Sequence, residues 1–421
     1  MSGWPLAAEP ALSIGGVSLA AIAEKYGTPA YVIDEEHIRA RCREYRKAEG
    51  LDEVAYAAKA FWCRAMARWV AEEGLSLSVC SEGQLNVAGA VGFPAGRILM
   101  HGDGRTLGEL SSAIDYGISR FVIDSTSEIA QLAALADRPQ QILLRVNPEI
   151  GAHPGTGTAG TGSAGGDEEE QFGFSTVSAE ASAAARRIRA LPSLELAGLY
   201  CHLGSLVASI GDYEAVARRL VAFMATLGGL PELNLGGGQA VLGHPGAEDP
   251  DVSEFARRIS GIVGRACCAY GIPVPRITVE PGRAIVGQAG LTLYRVLTVK
   301  RGPRTIVVVD GGMSDSERPA PSGGQHHVER VGGRTTAPAE PMTVVGRHCQ
   351  SGDVLVPRGL LPADIRPGDL LAVTCTGAYH HAMASNYNLL PRPPVIAVRD
   401  CRAWPVIRRE TDEDVLRCDV G

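Results

Sequence analysis

Between residues 36 and 285, short apolar runs alternate with longer Ala-rich stretches of helical pattern. The runs are Val54–Tyr56, Leu75–Val79, Ile98–Met100, Phe121–Ile123, Ile142–Val146, Leu196–Cys201, Leu233–Leu235 and Ile277–Val279. Short continuous apolar runs predict buried strands, and stretches such as Ser178–Ala190 and Asp212–Leu227 predict the helices that cover them. Phe61–Val70 reads as a further amphipathic helix. Eight such units favour an α/β fold of the (β/α)8 TIM type over an open doubly wound sheet.

After about residue 288 the pattern changes. Helices thin out, and Leu291–Val299, Thr305–Val309, Thr343–Val345, Leu370–Val373 and Val395–Arg399 read as strands of a mostly antiparallel β domain. Ahead of the barrel, a short helix around Leu19–Tyr26 and a strand at Pro29–Ile33 form an entry segment that could join that domain. The expected division is therefore 36–287 for the barrel and 288–421 for the β domain, joined by 1–35. One stretch breaks the rhythm: residues 153–170 hold a Gly/Thr/Ser/Ala run followed by Asp167–Glu170. That composition cannot bury a core, so it predicts a loop, whether a lid or a plain linker.

Composition narrows the setting. A chain of 421 residues, 45% apolar and 21% charged, has room for two ordinary globular domains. A net charge of -7 provides no basic face for nucleic acid or an anionic membrane. No run approaches about 18 apolar residues, and the start Met1–Pro5 lacks the form of a secretion signal. A cytoplasmic protein is expected. The ten cysteines are scattered from Cys42 to Cys418 without CxxC pairs or regular spacing to histidine, which favours reduced thiols and no metal site. Cys267 and Cys268 fall in a helical pattern and read as core filler.

Candidate chemistry collects where the strands end. Lys59 follows the run Val54–Tyr56 at a strand-to-helix junction, flanked by alanines. An amine in apolar surroundings loses ammonium solvation, and the neutral form can attack an aldehyde such as pyridoxal phosphate. A lysine that snorkels to the surface is the plainer alternative. Gly236-Gly237-Gly238 follows Leu233–Leu235, where bare backbone N–H groups can approach a phosphate or simply form a tight turn. Glu280, ahead of Pro281-Gly282-Arg283, could hold a protonated pyridine nitrogen or lie in a surface ion pair. His202 and Ser205 end another strand, and an imidazole there could stack on a flat ring or serve as a satisfied core group. Four polar or glycine signatures at four strand ends point together to one site.

Together with Val309–Asp315, Arg318-Pro319-Ala320, Cys349-Gln350-Ser351-Gly352-Asp353, Gly377-Ala378-Tyr379 and Ser385–Asn388, these motifs resemble, in order along nearly the whole chain, the diaminopimelate decarboxylase branch of the pyridoxal-phosphate-dependent ornithine/diaminopimelate/arginine decarboxylases of fold type III. The resemblance implies pyridoxal phosphate on Lys59, His202 stacked on its ring and Glu280 at its pyridine nitrogen. It implies phosphate binding by Ser205, Gly236, Gly237, Gly238 and the backbone at Gly282 and Arg283, with Tyr379 closing the site. It also implies a head-to-tail homodimer with shared sites, in which Cys349 of the partner subunit is the proton donor. Arg283, Arg318, Ser322, Gln350 and Tyr379 would meet the substrate.

Several positions depart from the family pattern. Gln350 stands where an acidic residue is usual and Ser322 where a tyrosine is usual. Ser78 replaces the usual Asp, Leu206 the usual Gln, and Gln171 the usual basic residue before Phe172-Gly173-Phe174. Losing a buried counter-charge costs about 3–5 kcal/mol, so these positions predict an altered amino-acid substrate, free or carrier-attached, with a distal carboxylate or other non-ammonium group. Diaminopimelate itself is the alternative. A non-catalytic cofactor-binding relative fits less well, since Lys59, His202, Glu280 and Cys349 are all present, and a racemase fits less well because the Cys349 motif and the order of the motifs favour decarboxylation.

Overall fold

The fold is described from a computed structural model for residues 12–149, 172–204, 207, 209–241, 251–316, 326–333 and 335–421. The described parts of 41–240 and 250–284 form one compact unit, and those of 1–40, 241–249 and 285–421 form a second.

In the first unit eight strands pair in chain order: Glu53–Ala57, Ser76–Val79, Ile98–Met100, Arg120–Ile123, Gln140–Asn147, Leu194–Tyr200, Glu232–Asn234 and Arg276–Val279. Every pair is parallel and the last strand pairs with the first, so the sheet closes into the expected (β/α)8 barrel. All eight predicted runs are strands. The helices form for the usual reasons. In Val252–Tyr270, Val252, Phe255, Ala256, Ile259, Ile262, Val263 and Cys267 make one buried stripe, Asp251 caps the start through the Glu254 N–H, and left-handed Gly271 ends it. Cys267 is thus core filler, but its neighbour Cys268 is exposed.

The barrel interior packs Ala55, Leu99, Val122, Leu143, Ala197 and Tyr200. Its N-terminal end is closed by charge: Arg120 donates to Glu53 at 2.8 Å and to Glu232 at 2.7 Å, and the Thr278 hydroxyl donates to Glu232 at 2.9 Å. That end is a paired ionic cluster, with Arg276 also bound to Glu53 and Glu232, and serves stability; the chemistry falls to the C-terminal ends.

One helix is shorter than its pattern. The stretch predicted from Phe61 is helical only over Arg64–Glu72. Residues 58–63 form a turn instead, fixed by the Ala60 N–H on the Ala57 carbonyl at 3.1 Å and by the buried Tyr56 hydroxyl on the Phe61 carbonyl at 2.8 Å.

The second unit is built on a sheet ordered Val354–Pro362, Ala339–Val345, Thr305–Val309, Gly290–Lys300, Ala30–Asp34, Val395–Arg399 and Arg402–Ile407, with Leu370–Thr374 joining Val328–Val331 to Gly290–Lys300. The entry strand Ala30–Asp34 lies inside it, parallel to Val395–Arg399 and antiparallel to Gly290–Lys300. Apart from that pair and Thr305–Val309 with Ala339–Val345, its pairings are antiparallel. Val328–Val331, Val354–Pro362 and Arg402–Ile407 escaped the apolar pattern because charged residues, proline or glycine interrupt them. The Gly-rich stretch 153–170 lies outside the described residues. None of the ten cysteines is in a disulfide, and no described helix is long and apolar enough to cross a membrane.

Candidate active site

Parallel strands that all end on one side of a barrel bring the residues just beyond them together. Lys59, His202 and Gly236 stand two residues past their strands; His101, Asp124 and Glu280 stand one past theirs. The turn at Lys59 is tied sideways on both flanks: the Ala58 N–H donates to the Ser78 carbonyl at 3.0 Å and the Ala57 N–H to the Pro281 carbonyl at 3.1 Å. A Cβ on Gly282 would lie 3.0 Å from Ala60 Cβ and 3.2 Å from Ala57 Cβ, so the Glu280–Gly282 segment packs directly on the lysine turn. Ala58 and Ala60 are buried while Lys59 is exposed. The apolar flank expected around the amine therefore fixes the backbone and leaves the amine open.

Glu280 is buried at 5% exposure, and its Oε1 is 2.8 Å from His101 Nε2 and accepts from Asn234 Nδ2 at 2.8 Å. The Ser78 hydroxyl bonds it as well. Burial pushes a carboxyl up, yet the neighbouring imidazole and these hydrogen bonds prevail and hold Glu280 below its usual value. His202 is the opposite case. Burial, with the Lys59 ammonium close by, pushes its imidazole down to about 3. Its Nδ1 accepts the Gly237 N–H at 3.2 Å, so the neutral ring carries its proton on Nε2.

The glycines are there because the backbone is crowded. A Cβ on Gly237 would meet the Glu280 carbonyl oxygen at 2.2 Å, and one on Gly238 the Gly204 carbonyl oxygen at 2.1 Å. Gly236 and Gly238 also hold φ of +64° and +99°. The loop is anchored rather than free: Asn234 Oδ1 accepts the Gly236 N–H, and Tyr213 donates to the Gly237 carbonyl at 2.7 Å. Two of the three N–H groups expected to face a phosphate are thus committed internally, which narrows the cradle to Gly238 and its neighbours.

The motif reading missed His101, Asn234, Tyr200, Arg145 and Asp124. The His101 and Tyr200 rings meet edge to face with centroids 4.9 Å apart, and the Arg145 guanidinium lies 4.2 Å over the Phe172 ring and 3.6 Å from Asp124. Burial, reinforced by Asp103, pushes Asp124 up to about 6. Their one sequence signal was position: each lies within or one residue past a barrel strand.

In the second unit Cys349 is exposed in a turn with φ of +53°. Buried Asp353 holds that turn by accepting the Met313 N–H at 2.6 Å and the His348 N–H at 2.8 Å. Gln350 is exposed, and its Oε1 accepts from Tyr387 at 2.7 Å. Tyr379 is partly buried with φ of +66°, and Arg283 of the first unit is partly buried at the start of the short helix Arg283–Val286. Asp315 of the Val309–Asp315 motif is buried, accepts from Tyr294 at 2.9 Å, and is pushed by burial up to about 7. Ser205, Leu206, Gln171, Arg318 and Ser322 lie outside the described residues.

The barrel mouth fits pyridoxal phosphate: an open amine, a neutral imidazole, an ionised buried carboxylate and a glycine loop that any Cβ would fill. The comparisons agree. Residues 35–287 match the family described as pyridoxal-dependent decarboxylase, pyridoxal binding domain. The chain is 50% identical over 424 residues to a diaminopimelate decarboxylase of Actinosynnema pretiosum subsp. auranticum, covering 99% of this chain and 95% of that one. It is 41% identical over 428 residues to a diaminopimelate decarboxylase of Mycobacterium tuberculosis, covering 97% and 94%. Among solved structures, diaminopimelate decarboxylase of M. jannaschii in complex with L-lysine superposes with a TM-score of 0.90 at 28% identity, covering 98% and 96%. These likenesses overturn the altered substrate expected from Gln350 and Ser322. A lost acid counts against a substrate only if no other group balances the ammonium, and two positions in a sequence cannot establish that.

Proposed function

Because this chain belongs to the pyridoxal-dependent decarboxylases, we propose that its substrate is diaminopimelate, which it converts to lysine and carbon dioxide as a step of lysine formation. It is a pyridoxal-phosphate-dependent carboxy-lyase acting on an amino acid. The observation that carries the substrate reading is full-length identity of 50% to a diaminopimelate decarboxylase, supported by Glu280 and His202 at the barrel mouth. L-lysine, the ligand in the M. jannaschii structure, is diaminopimelate less one carbon dioxide.

Bound pyridoxal phosphate supplies an electron sink for the pair released as the carboxylate leaves. Lys59 would hold the cofactor covalently and free it for substrate by exchange of one amine for another. His202, neutral at any working pH, would lie against the ring without adding charge. Glu280, kept ionised by His101, Asn234 and Ser78, would hold a proton at the ring nitrogen. Gly238, Ser205 and the backbone at Gly282 and Arg283 would take the phosphate. We further propose a cytoplasmic homodimer with shared sites, in which Cys349 of the partner subunit returns a proton to the carbon that lost carbon dioxide. Arg283 and Arg318 would grip the distal carboxylate, beside Gln350 and Ser322, and Tyr379 would close the site.

The test is to incubate the purified, cofactor-loaded protein with meso-diaminopimelate and follow carbon dioxide and lysine together. Equal release of both at a specificity constant above about 10⁴ M⁻¹s⁻¹ supports the reading. No lysine, with turnover of a different amino acid, would overturn it.

A further inference from the structure

We infer that His348 is a positioning residue for Cys349: its neutral ring, clamped between Ser314 and Asn388, fixes the strained turn that presents the thiol. This rests on the reading of Cys349 as the proton donor. The ring is 3% exposed and both nitrogens are engaged. Nε2 lies 2.9 Å from Ser314 Oγ, and Nδ1 lies 3.3 Å from Asn388 Nδ2. That same Asn388 Nδ2 donates to the His348 carbonyl at 3.2 Å, so it is the amide's donor end that faces the ring. Nδ1 must then accept, Nε2–H must donate to the hydroxyl, and the imidazole is held uncharged.

The clamp acts where the backbone is under strain. Cys349 and Asn388 both adopt left-handed conformations, φ +53° and +57°, a region that crowding of the Cβ disfavours for Cys349 and that Asn tolerates better. Such a turn persists only when its surroundings over-determine it. On one side Asp353 accepts the His348 N–H; on the other the Tyr387 ring lies on the His348 ring, centroids 5.2 Å apart at 33°. Gly312 and Gly346 let the two segments close in, since a Cβ on Gly312 would strike His348 Cδ2 at 2.6 Å and one on Gly346 would strike Asp353 Oδ2 at 2.4 Å. The charged and titratable groups facing the ring are the Asp353 carboxylate, the Arg347 guanidinium and the Tyr387 phenol. Burial lowers the imidazole, Asp353 opposes this, and Arg347 adds to it.

Protonation would place an Nδ1–H donor against the Asn388 Nδ2–H donor and open the clamp. Two variants test this: His348→Phe keeps the ring packing and drops both nitrogens, and Asn388→Ala removes an exposed donor without opening the core. Each should lower kcat by about 10- to 100-fold with KM nearly unchanged, as expected when a reacting group is misplaced. His348→Asn, whose Oδ1 can replace Nδ1 as the acceptor, should recover part of the loss. A second readout is independent of turnover. Thiol labelling of the cofactor-loaded enzyme, mapped by peptide, should show Cys349 several-fold faster in both variants relative to exposed Cys268, Cys401 and Cys418. In the unmodified enzyme all thiol labelling slows with acid as thiolate is lost, but the Cys349 rate relative to Cys268, Cys401 and Cys418 should rise as acid protonates His348, and that relative step should vanish in His348→Phe. Unchanged Cys349 labelling in both variants would overturn the inference. If instead Cys349→Ala retains full turnover, the proton-donor reading fails, and the labelling still decides the role of His348.

Discussion

At the barrel mouth, Lys59, His202 and Glu280 stand one or two residues beyond paired strands; Cys349 stands in a left-handed turn in the middle of the eight-residue connection between Ala339–Val345 and Val354–Pro362. The barrel positions its groups through the regular sheet, and the crowding there is backbone against backbone, as with Gly237 against the Glu280 carbonyl. The Cys349 turn is held by side chains, chiefly Asp353, His348 and Asn388. Regular backbone tolerates change in its side chains, whereas a turn stapled by side chains depends on each staple. The two regions should therefore fail in different ways.

The largest contrast is expected in catalysis. Lys59→Ala removes the cofactor's anchor and should lower kcat on the order of 10⁴-fold or more. Cys349→Ala removes one proton transfer and should cost about 10²- to 10⁴-fold while leaving cofactor binding intact. Equal losses, both with cofactor release, would erase the division of labour. Glu280→Gln comes next: it keeps the shape and loses the charge, and should lower kcat by about 10²- to 10³-fold, with a changed absorption spectrum of the bound cofactor.

Two glycines then separate the regions by stability. Gly237→Ala sets a Cβ against a backbone carbonyl oxygen at 2.2 Å, and Gly312→Ala sets one against the His348 ring and the Asp353 carboxylate at 2.6 and 2.7 Å, which are held by hydrogen bonds and yield more readily than backbone. Urea unfolding should show a loss of about 1–3 kcal/mol for Gly237→Ala and less for Gly312→Ala. The reverse order would contradict the account of backbone against side-chain support.

A further contrast is a pH slope. Asp315 titrates near 7 in the folded chain but near 4 when unfolded, so between those values the folded form holds the extra proton. Stability then falls as pH rises from about 4 to about 7. Asp315→Asn can still accept from Tyr294 and should flatten that slope in thermal unfolding followed across pH.

The same contrast explains what could be read from the chain. Each barrel strand centres on a short run of buried, mostly apolar residues, so all eight are legible, and motifs directly after them reveal Lys59, His202, Glu280 and the three glycines. His101 and Asn234 were not visible as site residues, because a single polar residue at a strand end has no pattern until its partner Glu280 is placed in space. In the β unit, Val354–Pro362 is broken by Pro357 and Gly359, and although Asp353 lies close to Cys349 in sequence, the groups that hold the His348 ring, Ser314 and Asn388, lie 34 and 40 positions from it. Spacing of that kind leaves no local signature. The distal ammonium site is illegible for a related reason: charge balance belongs to a whole pocket, and Gln350, which accepts from Tyr387, shows only one member of it.

The chain has four lysines, Lys25, Lys47, Lys59 and Lys300, and Lys59 is the one beyond a barrel strand. Borohydride reduction of the yellow, cofactor-loaded protein followed by peptide mapping therefore tests the site most directly. The account predicts one pyridoxyl group per chain, on Lys59, and loss of both colour and label in Lys59→Ala. A label on Lys25, Lys47 or Lys300, or a Lys59→Ala protein that still fixes the cofactor, would contradict it.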